Sequence, residues 1–157
     1  MTIAEELQQT RNYLDIQMIR YPNKFSVDFC CDETLMKYQV LRLIIQPLVE
    51  NSLQHGILQQ EKYGLLRIRL SRRGELLRFV ITDNGVGMNQ MQIKHLHSQM
   101  NTDGVSDLEG RHIGLRNTFK RLKLKYGDQA SLYIRSKPGL GTSIVLELPI
   151  LLNDDIV

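Results

Sequence analysis

Residues 46–56 read Gln46-Pro47-Leu48-Val49-Glu50-Asn51-Ser52-Leu53-Gln54-His55-Gly56. They lie in a segment whose apolar residues, Leu41, Ile44, Ile45, Leu48 and Val49, recur at helical spacing. Such spacing marks one buried helix face. Projected at about 100° per residue, Asn51 falls just beside that face. Pro47 and Gln54 share its flank, and His55 lies nearer the apolar side. A carboxamide there can line a pocket wall. It offers a neutral oxygen and two N–H donors, suited to a hard cation, a phosphate or water. Alone, an Asn on a helix flank is usually a solvated residue, so its weight comes from three further segments nearer the C-terminus.

Leu77-Arg78-Phe79-Val80-Ile81-Thr82-Asp83-Asn84-Gly85-Val86-Gly87-Met88 is the second informative stretch. Phe79, Val80 and Ile81 form a partly β-branched apolar run, as in a buried strand. Asn-Gly is a hairpin signal, but Met88, Met91, Gln92, His95, Leu96 and Gln99 then follow at helical spacing. The better reading is strand, glycine-rich turn, helix. Such a turn lets a ligand approach the backbone, and a carboxylate at the strand end can accept a base N–H. Gly110-Arg111-His112-Ile113-Gly114-Leu115-Arg116-Asn117 opens a further helix with an apolar stripe of Leu115, Phe119, Leu122 and Tyr126. Glycines at a helix start suit phosphate, through free N–H groups and the positive helix end. Pro138-Gly139-Leu140-Gly141-Thr142 sits between two strand-like runs.

Each piece is common, but their order and spacing together are not. The chain resembles the ATP-binding Bergerat domain shared by histidine kinases, gyrase, MutL-like repair proteins and heat-shock chaperones. P-L-V-E-N-S-L-Q-H-G, D-N-G-V-G-M, I-G-L-R-N-T-F-K-R-L and P-G-L-G-T look in particular like the LytS/YesM type of sensor histidine kinase. The resemblance covers nearly the whole chain. It implies an α/β two-layer sandwich with a mixed sheet, preceded by an N-terminal helix, and a domain that binds ATP with Mg²⁺. Asn51 would be the catalytic metal ligand, through Mg²⁺ on the phosphates. Asp83 would accept the adenine amino group, with Gly85, Gly87 and Met88 shaping that pocket. Gly110, Gly114 and Leu115 would wrap the phosphates, His55 would help hold the nucleotide, and Thr142 would support the adenine side. Glu50 points away from the Asn51 flank, which favours a supporting role over a catalytic one.

The composition agrees with a soluble globular domain. The 157 residues carry a net charge of +3 with both signs mixed along the chain, which argues against a clustered basic face for nucleic acid. No apolar run approaches membrane-spanning length and no signal peptide opens the chain. Cys30 and Cys31 are adjacent, cannot staple a loop, and fit a reducing cytosol. The resemblance places the domain in the cytoplasmic portion of a membrane-anchored sensor. It implies three partners: a helical domain of the same kinase carrying the phosphoacceptor histidine, a response regulator, and a second copy in a homodimer.

Within an N-terminal segment of residues 1–22, residues 2–21 should be helical, opened by a Thr2–Glu5 capping box and stopped by Pro22-Asn23. In the resembled family they end the dimerisation and phosphoacceptor region, although a helix packed on its own domain is an equal reading. Residues 23–150 would form the catalytic domain and 151–157 a tail. Strands are expected at Lys24–Cys31, Leu65–Ser71, Leu76–Thr82, Ser131–Ser136 and Ser143–Leu148, with three hairpin-like connections between neighbours. Helices are expected near 89–100 and 115–126, the second ended by Gly127 as a C-cap. Residues 100–112 read as a lid, or as an ordinary surface loop.

Four departures from the family pattern matter. Pro47 stands where hydrolysing relatives place a Glu base, so water activation should be poor. Gln54 replaces a Lys, and His55, Arg111 or Arg116 would have to substitute for it. His112 replaces the middle glycine, where it either stiffens the lid, brings an imidazole near the phosphates, or has no role. No motif resembles the family phosphoacceptor, so the acceptor histidine would lie outside this chain. Two further readings stand beside the sensor kinase: an anti-sigma-type Ser/Thr kinase, which Pro47 opposes, and a weakly nucleotide-binding docking domain.

Overall fold

Thr2 opens the first helix, α1 (Ile3–Arg20), through the expected capping box. Its hydroxyl accepts the Glu5 N–H at 3.2 Å, and the Glu5 carboxylate accepts the Thr2 N–H at 2.8 Å. Strand β1 (Phe25–Cys31) follows, then α2 (Ile45–His55), the hairpin β2 (Gly64–Arg73) and β3 (Leu76–Asp83), helices α3 (Gln90–Met100) and α4 (Ile113–Tyr126), and the hairpin β4 (Ser131–Lys137) and β5 (Gly141–Pro149). A computed structural model describes residues 1–101 and 112–151 of the chain. The expected lid therefore falls almost wholly outside the described residues, as does all of the tail beyond Leu151.

The five strands form one mixed sheet in the order β1-β2-β3-β5-β4. Burial alternates along β2 and β3, so Leu66, Ile68, Leu70, Leu77, Phe79 and Ile81 face the helices. Ile144, Leu146 and Leu148 of β5 extend that apolar surface. Ile45, Leu48, Val49 and Leu53 of α2 close over it and are fully buried, each such side chain contributing about 1.5–3 kcal/mol. Ile3, Leu7 and Leu14 of α1 join the same core, so α1 packs on its own domain.

Two sequence expectations need correction. Only two connections between neighbouring strands are hairpins. β1 instead runs parallel to β2, from Phe25 beside Gly64 to Cys31 beside Leu70, and α2 lies in the crossover that parallel strands require. The second correction concerns the helix start. Leu41 and Ile44 share helical spacing with α2, yet the helix begins at Ile45. Leu43 adopts a φ of +54°, and the backbone there bonds to distant side chains. Leu41 N–H donates to Tyr126 Oη at 3.0 Å, and Arg121 donates to the Leu43 carbonyl at 3.0 Å. The carboxylate of Glu6 accepts the N–H groups of Leu43, Ile44 and Ile45 at 2.9, 2.7 and 2.9 Å. A carboxylate at this end also opposes the positive helix dipole. Pro47 sits in the first turn of α2, where a missing N–H removes a donor that would otherwise need a cap.

Candidate functional site

Asp83 ends β3 in phase with Leu77, Phe79 and Ile81, so the pleat sends its carboxylate toward the core, at 3% exposure. Across the sheet it pairs with Thr142 of β5. Its Oδ1 accepts the Gly85 N–H at 2.8 Å. Its Oδ2 is buried and has no hydrogen-bond partner among the described residues. Burial raises its pKa above the ordinary carboxylate range. The Gly85 N–H, and the nearby Ser52 hydroxyl and Thr142 N–H, pull it only partly back.

The turn after Asp83 is clamped between two other segments. A Cβ on Gly85 would lie 2.3 Å from the carbonyl carbon of Gly56, at the end of α2. Gly87 has a φ of +68°, and a Cβ there would lie 2.0 Å from the Lys137 carbonyl oxygen. Both positions therefore exclude a side chain. On the far side the β4–β5 hairpin grips the turn: Gly139 N–H donates to the Val86 carbonyl at 2.7 Å. Ser136 Oγ accepts the Met88 N–H at 2.8 Å and donates to the Gly141 carbonyl at 2.9 Å. With its single proton committed, it accepts from the Thr142 hydroxyl at 2.8 Å.

A cavity of about 650 Å³ opens above this turn, a size suited to a small ligand. Of the residues singled out in the sequence, Asn51, His55, Asp83, Gly87, Met88, His112 and Thr142 line it. Gly85 lies beneath it, against Gly56. Gly114 stands exposed in the first turn of α4, where a Cβ would make ordinary 3.8 Å contact with Pro47. Leu115 is a core residue and does not line the cavity, nor do Gln54, Glu50 and Arg116. Gly110 and Arg111 lie outside the described residues. Glu50 accepts the Gln46 side-chain amide at 2.9 Å. The sequence reading missed Gly56, Gln59, Val86, Gln92, His95, Leu96 and Gln99 as lining residues. Gln92, His95 and Gln99 were visible as a polar stripe on α3, but a stripe facing a pocket has the same periodicity as one facing water.

Asn51, 8% exposed, projects from α2 into the cavity wall. Its Oδ1 lies 2.6 Å from Nδ1 of His112. An amide oxygen carries only lone pairs, so Nδ1 is the donor. His112 is the N-cap residue of α4 with a φ of +61°, which sets the positive end of that helix beside the cavity. Its ring lies 4.5 Å from that of His55, tilted by 40°. Among the described residues no group of three or more His, Cys, Asp or Glu side chains could hold a metal ion. A cation at Asn51 would need further oxygens from its ligand or from water.

Residues 36–152 match the family of histidine kinase-, DNA gyrase B- and HSP90-like ATPases. The chain belongs to that family, whose nucleotide is ATP. It is 30% identical over 148 residues to the sensor protein kinase HptS of Staphylococcus aureus, covering 94% of this chain and 28% of the relative. It is 31% identical, with the same coverage, to an uncharacterized sensor-like histidine kinase of Staphylococcus epidermidis. The chain thus spans little more than a quarter of the length of these relatives. Its fold is that of histidine kinase catalytic domains. The nucleotide-free catalytic domain of ThkA superposes with a TM-score of 0.70 at 13% identity, over 96% of this chain and 93% of that one. The histidine kinase domain of an Erythrobacter litoralis blue-light activated histidine kinase gives 0.65 at 19% identity, over 96% and 62%.

Proposed function

We propose that this chain is the catalytic ATP-binding domain of a two-component sensor histidine kinase, passing the γ-phosphoryl group of ATP to a histidine outside the chain. The observation that carries this reading is the pairing of Asp83 and Asn51 in one cavity. Asp83 presents a buried carboxylate oxygen with no hydrogen-bond partner among the described residues, the kind of acceptor an adenine amino group requires, since an unmet buried acceptor costs about 1–3 kcal/mol. Asn51 presents a carboxamide oxygen in the same wall, a hard donor that fits Mg²⁺. Asn51 would hold the Mg²⁺, which would supply charge neutralisation at the phosphates. Asp83, Thr142 and the glycine turn orient the base, and Asn51, with the α4 N-terminus, holds the phosphate end.

Asp83 is the only carboxylate lining the cavity among the described residues, and it belongs to the base end. Pro47 stands one turn before Asn51. With no base among the described residues placed to activate water, transfer to a presented imidazole is favoured over hydrolysis. The acceptor helical domain, a response regulator and a second kinase copy are the partners this reading requires. Residues 1–22 would join the acceptor region, 23–150 carry catalysis, and 151–157 form a tail. The domain would work in the cytoplasmic portion of a membrane-anchored sensor. Among the described residues no helix is long and apolar enough to cross a membrane.

Incubation with γ-³²P-ATP, with and without a separately made acceptor domain, tests the reading. The chain alone should stay unlabelled, and the acceptor should gain an acid-labile label. Asn51→Ala should cut that transfer by about 10²-fold while changing ADP affinity far less. Label on the isolated chain, or equal transfer by the variant, would overturn it.

A further inference from the structure

We propose that the open face of the sheet, opposite the helices, is a docking surface for an acidic polypeptide segment of a partner protein. The strand residues that alternate with the core point away from the helices. The register sets Arg67 level with Arg135, across Thr82 and Ser143, and Arg69 level with Tyr133, across Val80 and Val145. Arg67, Arg69, Arg78, Arg135 and Lys137 are dispersed in sequence, and only the sheet gathers their cations on one surface. Against them the outward strand positions set Asp28 and Glu147. Asp28 is already paired with Arg67 at 3.0 Å. Arg69, Arg135 and Lys137 make no ion pair among the described residues. Arg78 donates to Tyr133 Oη at 3.2 Å, and its Nε has no hydrogen-bond partner among the described residues. The unmet chemistry of this face is cationic, so the ligand that complements it carries carboxylates.

Toward one end the face opens into a groove of about 530 Å³ between the β4–β5 hairpin and α3. Arg135 and Lys137 line it together with Thr82 and Ser143, whose hydroxyls lie 3.1 Å apart. Ile93 and Leu140, the latter 72% exposed, give the groove an apolar side. Carboxylates at the cations and an apolar side chain against Leu140 would be served together. Two other occupants fit less well. A second copy set face to face would bring arginine against arginine, and like charges oppose such a pairing. A nucleic acid on a sheet stacks its bases on open aromatic rings. Here Tyr133, the one aromatic at the outward positions of the described strands, has the Arg135 guanidinium over its ring at 5.4 Å, and Glu147 would repel phosphates.

Calorimetry with the peptide Glu-Glu-Leu-Glu-Glu-Leu-Glu-Glu tests this. The chain should bind it, and should bind the version with Gln for Glu about tenfold more weakly. Arg69→Glu and Arg135→Glu should each cut the affinity for the acidic peptide about tenfold, with Arg69→Gln and Arg135→Gln losing less. Lys125→Glu makes the same change of net charge on α4, away from the face, and should leave the affinity unchanged. All three positions are exposed, so the variants should fold, which circular dichroism checks. Equal losses in Lys125→Glu and Arg135→Glu would trace the binding to net charge and overturn the proposal, as would failure of the chain to bind the peptide. A thymidine oligonucleotide that binds more tightly and weakens in the same two Arg variants would overturn it in favour of nucleic acid. A dimer of the chain that Arg69→Glu dissociates would overturn it in favour of a second copy. None of these side chains lines the nucleotide cavity, so ADP affinity should hold in every variant and each of these failures leaves the nucleotide reading intact.

Discussion

Glu6 and Asp83 are both buried carboxylates, at 1% and 3% exposure, and they sit on opposite sides of α2 in function. Glu6 accepts the N–H groups of Leu43, Ile44 and Ile45. Asp83 accepts one N–H through Oδ1 and leaves Oδ2 with no partner among the described residues. The first carboxylate is consumed by the fold. The second is held by the fold, but with acceptor capacity left over on a residue that lines a cavity. A buried charge alone therefore says little about function. The number of its lone pairs that the protein itself satisfies separates a structural cap from a ligand-reading group.

The hardest test of this contrast is Glu6→Ala, which strands two buried N–H groups and one part-buried one at the start of α2. It should cost about 3 kcal/mol in urea unfolding, with Glu6→Gln losing less because one acceptor oxygen remains. ADP affinity of the folded fraction should stay unchanged. A stable Glu6→Ala variant would erase the distinction. Asp83→Asn should do the reverse. Its Oδ1 still accepts the Gly85 N–H, but a donor replaces the open acceptor, so ADP binding should weaken by about 2 kcal/mol, or ~30-fold. The unliganded protein should be no less stable. Calorimetry and denaturation on one preparation check both halves.

The smallest effect sharpens the comparison through pH. Asp83 has a folded-state pKa raised by burial above the ordinary aspartate value of 3.8. Between those two values the folded state binds more protons than the unfolded one, so this group's contribution to stability falls as pH rises. Below 3.8 the penalty is absent, and above the folded value it is complete. The stability of Asp83→Asn relative to the wild type should therefore grow from acid toward neutral pH. A gap that stays flat or shrinks over that range would show that Oδ2 is solvated.

Much of the site was legible because its parts are local. The run from Leu77 to Met88 announced a strand, a turn and a helix, and the structure ends β3 at Asp83 and starts α3 at Gln90. Thr2 and Glu5 formed the predicted capping box, and Gly127 ends α4 as expected. Other parts were illegible for a common reason. Leu41 and Ile44 carry helical spacing, but their backbone is claimed by Glu6, Tyr126 and Arg121 from elsewhere in the fold. Leu115 turns into the core and Gly114 stays exposed in the first turn of α4, placements that motif spacing alone does not give.

The sequence by itself determined the short turns that join β2 to β3 and β4 to β5 and the helix face that α2 buries, and it singled out Asn51 and Asp83 as candidates. Periodicity, turn chemistry and capping act within a few residues, so they can be read along the chain. Only the tertiary structure decided that β1 lies parallel to β2, that Glu6 fixes the start of α2, and that His112 meets Asn51 across 61 positions of sequence. These depend on which distant groups satisfy one another's hydrogen bonds once water is excluded. Local spacing carries no record of that.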